Sequence, residues 1–401
     1  MYHDAMKITI LGGGVVGLCS AYYLVKRGHA VTVVDSAEEV GLGSSYGNGG
    51  QLSYGLTDPL GKPDLLKKIP SIFFNSDPAL MFKHPLSLRT ISWGLKFLRE
   101  CSASKHEKNT LDLLVLALES KKLLDELRQD IGNDFSCVKS SKIVLYEDEQ
   151  SLAKEVSFLP RKLKNGSDNL HLSLSEAINL EPAIENLKLD IKGAIFSEQD
   201  EVGDSLVFCK KLFEWLQNNN TKFVFNRRVE KLATWKNKVT GYFSEGKLHE
   251  TEQIVSCLGS FTNQITDHST PVLPVKGYSL TLNPGKKQFS KSITLADKRI
   301  LFTRLGDKIR ITGFADFVGL SDYKEQQRLD LLLSLSKKIA PDLADYNSRN
   351  LTSWSGFRPL TPSSYPIIGP TSKTGLHINS GQGFYGWTLA CASGKRLAEF
   401  F

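Results

Sequence analysis

Hydrophobic positions in the opening stretch "ITILGGGVVGLCSAYYLVKRGHAVTVVD", residues 8–35, change period twice. Ile8-Thr9-Ile10-Leu11 is a β-branched apolar run that breaks at Gly12-Gly13-Gly14, and "LCSAYYLVKR" over 18–27 then carries helical spacing. Lys26 and Arg27 fall in its last turn, where they suit the negative end of the helix dipole, and Gly28 supplies a stop. Residues 30–34, "AVTVV", read as a second buried strand ending at Asp35. The predicted order is strand, glycine turn, helix, parallel strand.

Both kinds of periodicity recur downstream. An amphipathic helix is expected over 111–131, stopped by Gly132, and a strand over 142–146. Residues 193–232 read as strand, loop, helix capped by Asp204, and a strand from Phe223, so a parallel βα pattern returns late in the chain. "QIVSCLGS", 253–260, is an apolar strand ending at Gly259, as expected where a strand terminates at a ligand. "YSLTL" from Tyr278 and the hairpin "RILFTRLGDKIRITGF", turning at Gly306-Asp307, have antiparallel character. "WSGFRPLTPSSYPIIGP", 354–370, reads as proline-rich and irregular, and residues 376–401 as a short strand, a glycine turn and a last helix from about Trp387. The predicted fold is mixed α/β and α+β, with a Rossmann-like nucleotide domain built from separated segments and an antiparallel-sheet domain inserted between them.

Bulk composition narrows the chemistry. With 401 residues, 41% of them hydrophobic, the chain supports about two domains or one elaborated one. No uninterrupted apolar run reaches membrane-spanning length, and the glycines argue against a secretion signal at the start, with Met6 the expected functional start. Cys19, Cys101, Cys137, Cys209, Cys257 and Cys391 are scattered, which reads as reduced thiols in a cytosolic protein. The histidines form no helical pair and no nucleophile-elbow serine occurs, so neither a metal nor serine-hydrolase chemistry is expected. The net charge of +7 is modest for this length, and no nucleic-acid partner is expected. "LLKKIPSIFF" (65–74) and "MFKHPLSLRTISWGLKFLR" (81–99) interleave basic and aromatic residues. Their aromatics read first as core-facing, with an anionic membrane surface as the alternative.

The candidate chemistry begins at the glycine turn. Gly12 serves the tight turn, Gly14 the approach of backbone to a pyrophosphate, and Gly17 the packing of helix on strand. The helix N-terminus at Val15 and Val16 favours an anion. Asp35, followed by Ser36, is placed to accept both hydroxyls of an adenosine ribose, which disfavours a 2'-phosphate and therefore NADP. The loop "GLGSSYGNGGQLSYG", 41–55, is rich in donors that suit a second phosphate or a ring edge, among them Ser44, Ser45, Asn48, Gly49 and Gln51. Gly383, Phe384, Tyr385, Gly386 and Trp387 open the last helix, whose N-terminus suits a reduced flavin's negative charge. Arg358, between Phe357 and Pro359, suits bidentate capture of a carboxylate. A structural pairing with an internal acid stays open from residue type alone.

The motifs "ILGGGVVGL", "SSYGNGGQLS", "WGLKFLREC", "EVGDSLVF", "PVKGYSLTL", "FTRLGDKIRITGFA", "WSGFRPLTPSSYPIIG" and "GFYGWTLACASG", in that order, resemble the D-amino acid dehydrogenase small-subunit family, within the D-amino acid oxidase and glycine oxidase flavoproteins. The resemblance runs from Met6 to Phe401 and implies FAD rather than NAD. It implies that Arg358 binds the substrate carboxylate, that Tyr278 lies on the substrate side of the flavin, and that the backbone of Val229 meets the adenine. Two departures stand out: Gln382 in "GQG" where the family shows His, and Tyr54 in "SYG" where it shows Pro, so that Tyr54 either narrows the pocket, supplies a hydroxyl or is an ordinary loop tyrosine. Segments 1–57, 193–266 and 351–401 are expected to form the FAD domain, and 58–192 with 267–350 the substrate domain.

The implied activity is oxidative deamination of D-amino acids to 2-oxo acids and ammonia, with hydride passing from the α-carbon to the flavin and electrons to a quinone or other non-oxygen acceptor. The expected location is cytoplasmic, with peripheral placement at the inner membrane face implied by such an acceptor. Oxidation of glycine, sarcosine, D-proline or D-hydroxyproline is the alternative on the same scaffold. A flavoprotein acting mainly by binding a partner, membrane or nucleic acid is the alternative of another class.

Overall fold

The computed structural model describes residues 5–65, 78–83, 87–136, 139–266, 270–323 and 325–401. Lys7–Leu11 and Ala30–Val34 pair in parallel around the helix Val15–Lys26, as their apolar runs require. Their six-stranded sheet has the order Ile367–Pro370, Leu376–Ser380, Ile254–Ser256, Lys7–Leu11, Ala30–Val34, Lys222–Val224. Ile254–Ser256 pairs in parallel with both Lys7–Leu11 and Leu376–Ser380, so the first, middle and last parts of the chain share one sheet. The helices Val15–Lys26, Ser205–Asn218 and Gly386–Ala398 pack together, with Leu18, Phe208 and Leu389 fully buried among them. Cysteines far apart in sequence meet here: the Cys19 and Cys391 sulfurs lie 4.0 Å apart, and every described cysteine is free and buried.

A second, nine-stranded sheet runs from the edge strand Thr352–Leu360 through Leu273–Leu282, Lys308–Phe317, Ile300–Leu305, Ser292–Leu295, Lys142–Tyr146 and Gly193–Ser197 to Leu170–Leu172, with Leu80–Phe82 beside Lys308–Phe317. Two expectations are corrected by it. Residues 354–360 are not irregular: Pro359 sits opposite Pro274 on an edge strand, where a missing N–H leaves no central ladder broken. Gly193–Ser197 and Thr352–Leu360 belong to this sheet, although 193–266 and 351–401 were grouped with the nucleotide domain. Alternation splits the sheet into two faces. Tyr278, Leu280, Ile300, Phe302, Ile309 and Ile311 pack in one core with Leu329 and Leu332 of the helix Glu325–Ile339. Thr281, Thr303, Arg310 and Thr312 face the other way, toward the loop 47–53.

Of the basic aromatic stretches, residues 66–77 and 84–86 lie outside the described residues. In the helix Leu88–Glu100, Trp93 is buried, stacks on Phe97 at 5.2 Å and donates to the Pro271 carbonyl, which is the core-facing reading.

Candidate active site

The glycine turn is built as its sequence requires. Gly12 has φ +107°, and a Cβ there would stand 2.6 Å from the Cys257 carbonyl oxygen; at Gly17 a Cβ would stand 1.9 Å from the Gly12 oxygen. The helix Val15–Lys26 starts at Gly14 with no side-chain cap and no acid in its first turn, so its positive end is left for an anion. The Ser45 hydroxyl accepts from the Val15 amide at 3.0 Å. Asp35 closes the turn, its carboxylate accepting from the Gly13 amide at 2.5 Å and from the Ala37 amide at 2.8 Å. Ser36 is exposed beside it, and Val229 packs with Leu11 and Val34 at the carboxyl ends of the first two strands. This cradle fits a dinucleotide: no Cβ fills it, and a carboxylate stands at its rim.

From there the loop crosses to the second sheet. Ser44 donates to the Phe357 carbonyl at 2.6 Å, Asn48 accepts from the Gly50 amide through its side chain and from Arg310 through its carbonyl, and Gly49 accepts from Thr303. Gln51 donates to Ser292 and Thr294 at 2.5 and 3.0 Å. On the opposite side, Gly259 (φ +54°) accepts from Ser380, and the turn at 383–387 leads into Gly386–Ala398. Phe384 is 38% exposed, while the Tyr385 hydroxyl bonds to the backbone of Asp58. Trp387 turns its indole into the core, donating to the Gly203 carbonyl at 3.2 Å. A cavity of about 400 Å³ lies against Ser44, Phe261, Trp354 and Phe357 at the edge strand.

Arg358 stands at the seam of the two sheets. Its guanidinium lies across Gly277, where a Cβ would come within 2.3 Å of it, donates to the Phe314 carbonyl at 2.7 Å and sits 5.1 Å from the Phe384 ring centre. Phe314 has φ +65° in its strand. Burial pushes Arg358 down to about 10, opposed by Asp316, which leaves it protonated at neutral pH. The alternative of a structural ion pair fails on geometry. Asp316 is committed to Arg328 through two bonds of 2.7 Å and to the Tyr278 hydroxyl at 2.8 Å, and no ion pair among the described residues uses Arg358.

Two of the expected contributors stand elsewhere. Tyr278 is 1% exposed and on the helix-packed face, since strand register gives Arg358 the face of Val275 and Gly277; burial and Asp316 hold its phenol well above the ordinary range. It steadies Asp316 rather than lining the Arg358 side. Tyr54 is fully buried, its ring under Lys121 at 5.8 Å and its hydroxyl 3.4 Å from Glu201, on the side of the helix Ala103–Ile131. Gln382 turns inward as well, donating to Asn379, which in turn donates to Ser20. Sequence reasoning missed Gly277, Phe314 and Arg310, and missed the buried pair Lys142 and Asp200 behind the loop. Lys142 donates to Ser53 at 2.8 Å, and Asp200 accepts the amides of Tyr54 and Gly55. The one available signal was Arg310 between Ile309 and Ile311, a cation on a strand face that alternation assigns to solvent and that loop 47–53 in fact covers.

The sequence profile of the FAD dependent oxidoreductase (DAO) family matches residues 7–400. The protein named D-amino acid dehydrogenase of Dechloromonas aromatica is 31% identical over 406 residues, covering 98% of this chain and 96% of that protein. That of Vibrio vulnificus is 30% identical over 406 residues, covering 98% and 95%. Among solved structures, glycine oxidase from Bacillus cereus superposes with a TM-score of 0.72 at 19% identity, covering 98% of this chain and 94% of that one, a likeness of fold.

Proposed function

The chain belongs to the FAD dependent oxidoreductase family, and from that premise we propose that it oxidises D-amino acids, releasing imino acids that hydrolyse to 2-oxo acids and ammonia. The family profile supplies the FAD-dependent oxidoreduction and the relatives' names the amino acid substrate, so together they support FAD-dependent amino acid oxidoreduction. The handedness of the substrate and a quinone or other non-oxygen electron acceptor, reached at the inner membrane face, belong to the proposal.

The observation that carries it is a half-buried guanidinium with no carboxylate paired to it among the described residues, laid across a glycine at the seam of two sheets. A substrate carboxylate completes Arg358 by a bidentate bond. Gly277 and the Phe314 carbonyl fix the direction of that bond, and Phe384 covers the guanidinium. Arg358 therefore orients the α-carbon, and positioning contributes most of the rate without a side-chain base. The turn at Gly12, Gly14 and Gly17 with the amides of Val15 and Val16 would hold the pyrophosphate, and Asp35 and Ser36 the ribose. Val229 would meet the adenine; Ser44, Ser45, Asn48, Gly49, Gln51, Gly259 and residues 383–387 would surround the ring. Bound FAD supplies the hydride acceptor.

The test is anaerobic flavin absorbance of the purified holoprotein, titrated in turn with D- and L-amino acids, glycine, sarcosine and D-proline. Bleaching by D-amino acids supports the proposal; bleaching by glycine or sarcosine alone moves the activity to that class. In Arg358→Ala the lost charge-assisted bond, about 3 kcal/mol, is expected to raise KM on the order of 100-fold with flavin retained. Unchanged kinetics in that variant would remove Arg358 from the site.

A further inference from the structure

Where the two sheets meet, cations and acids are sorted against each other. Lys276 is fully buried and sends its ammonium to the Ser321 carbonyl at 3.0 Å and to the carboxylates of Asp322 and Glu325 at 3.0 and 2.5 Å. Arg328 is buried on the helix Glu325–Ile339 and uses every edge of its guanidinium. Its Nε and Nη2 donate to the two oxygens of Asp316, each at 2.7 Å, and its Nη1 donates to the Pro78 carbonyl at 2.7 Å. The same guanidinium lies 4.3 Å from the Phe314 ring centre. Arg358 is the cation of this group with no ion pair among the described residues.

Asp316 nonetheless lies within electrostatic reach of Arg358. Burial pushes its carboxyl up; the Arg328 charge is the largest opposing influence, and the Arg358 charge adds to it. The backbone couples the two residues as well. Between the pairs Lys276–Asp316 and Tyr278–Gly313, Leu273–Leu282 advances two residues and Lys308–Phe317 three, a bulge in which Phe314 takes φ +65° and its carbonyl accepts from Arg358. Asp316 is wholly buried, and a buried carboxylate stripped of its partner is costly unless another cation compensates it. The next cation acting on it is Arg358. A guanidinium drawn to Asp316 has no fork left for a second carboxylate. We propose that Arg328 is a positioning residue: it occupies both oxygens of Asp316 and packs on Phe314, so that Arg358 keeps its line to the Phe314 carbonyl and stays open to the substrate carboxylate. The inference rests on the proposed reading of Arg358 as the carboxylate anchor.

The experiment measures, on holoprotein, KM and kcat for the D-amino acid that bleaches the flavin most fully. Beside them it measures the dissociation constant of propionate, a carboxylate with no amine to oxidise, from the flavin absorbance. In Arg328→Met the freed Asp316 carboxylate is expected to raise KM and the propionate constant by about tenfold or more, with kcat within about threefold of the parent. Arg328→Met/Asp316→Asn removes the competing charge and should bring both constants back to within about threefold of the parent. Should Arg328→Met fail to accumulate as holoprotein, Arg328→Lys, which keeps the charge without the fork, is compared with Arg328→Lys/Asp316→Asn, and the same relief is expected. Unchanged constants in the single variant overturn the proposal. An equal rise in the single and double variants also overturns it, because lost packing is not restored by a second substitution. Arg358→Ala keeps the two readings apart. If its KM rises while that of Arg328→Met does not, the role of Arg328 falls and the anchor stands; if neither moves, the anchor reading falls and the positioning role with it.

Discussion

At Gly277 a single methyl group would stand 2.3 Å from the Arg358 guanidinium, with no flexible neighbour to yield except that guanidinium itself. Gly277→Ala should therefore push Arg358 off its line to the Phe314 carbonyl and raise KM by roughly tenfold or more, while flavin content stays that of the parent. Steady-state kinetics beside the flavin absorbance ratio separate this from simple misfolding. Asp200 makes a second prediction at this scale. Burial pushes its carboxyl up to about 6, with Lys142 and the Tyr54 and Gly55 amides pulling the other way. A carboxyl raised in the folded state binds more protons there than in the unfolded chain, from about pH 4 to 6, so its contribution to stability declines as pH rises through that window. The melting temperature of Asp200→Asn relative to the parent should accordingly rise between pH 4 and 7. A difference independent of pH would contradict the shift. The neighbours Phe357 and Pro359 drew notice to Arg358, but its carboxylate-binding role was favoured only by the family resemblance; that Asp316 is taken had no local signal, because Arg328 and Tyr278 reach it from other parts of the chain.

Elements with a local signal were legible. The hairpin turns at Gly306, with φ +60°, between Ile300–Leu305 and Lys308–Phe317. Asp204 caps Ser205–Asn218 by accepting from the Leu206 and Val207 amides at 2.9 and 3.2 Å. Removing that cap in Asp204→Ala should cost about 1 kcal/mol and lower the melting temperature by roughly 2 °C. Flavin affinity is expected to fall too, since Ser205 bonds to the Ser45 carbonyl in the loop and Phe208 packs on Trp387 at 4.5 Å; calorimetry and flavin titration on one preparation check both. Elements without a local signal were not legible. Thr352–Leu360 carries proline at a position only an edge strand tolerates, and nothing within its own residues says that it lies at an edge. Tyr278 was misjudged for a related reason: period two tells which residues share a face, not which face loop 47–53 covers.

Across the whole molecule, the returning βα pattern anticipated that Lys222–Val224 joins the same sheet as Lys7–Leu11 and Ala30–Val34. The ownership of Gly193–Ser197 was not legible, since a short, wholly buried apolar strand looks alike in either sheet and only its pairing with Lys142–Tyr146 decides. The order of the six-stranded sheet has a consequence for how the protein is made. Lys7–Leu11 leaves the ribosome first and finds Ala30–Val34 at once, but its other neighbour, Ile254–Ser256, emerges much later, and that strand in turn waits for Leu376–Ser380. Until then the growing chain displays raw ladder edges to every other nascent polypeptide, a hazard that a stalled or clipped product never outgrows. The glycine cradle loses its Cys257 wall whenever Ile254–Ser256 is unseated, so a nascent chain that has not yet seated this strand is expected to hold a dinucleotide poorly.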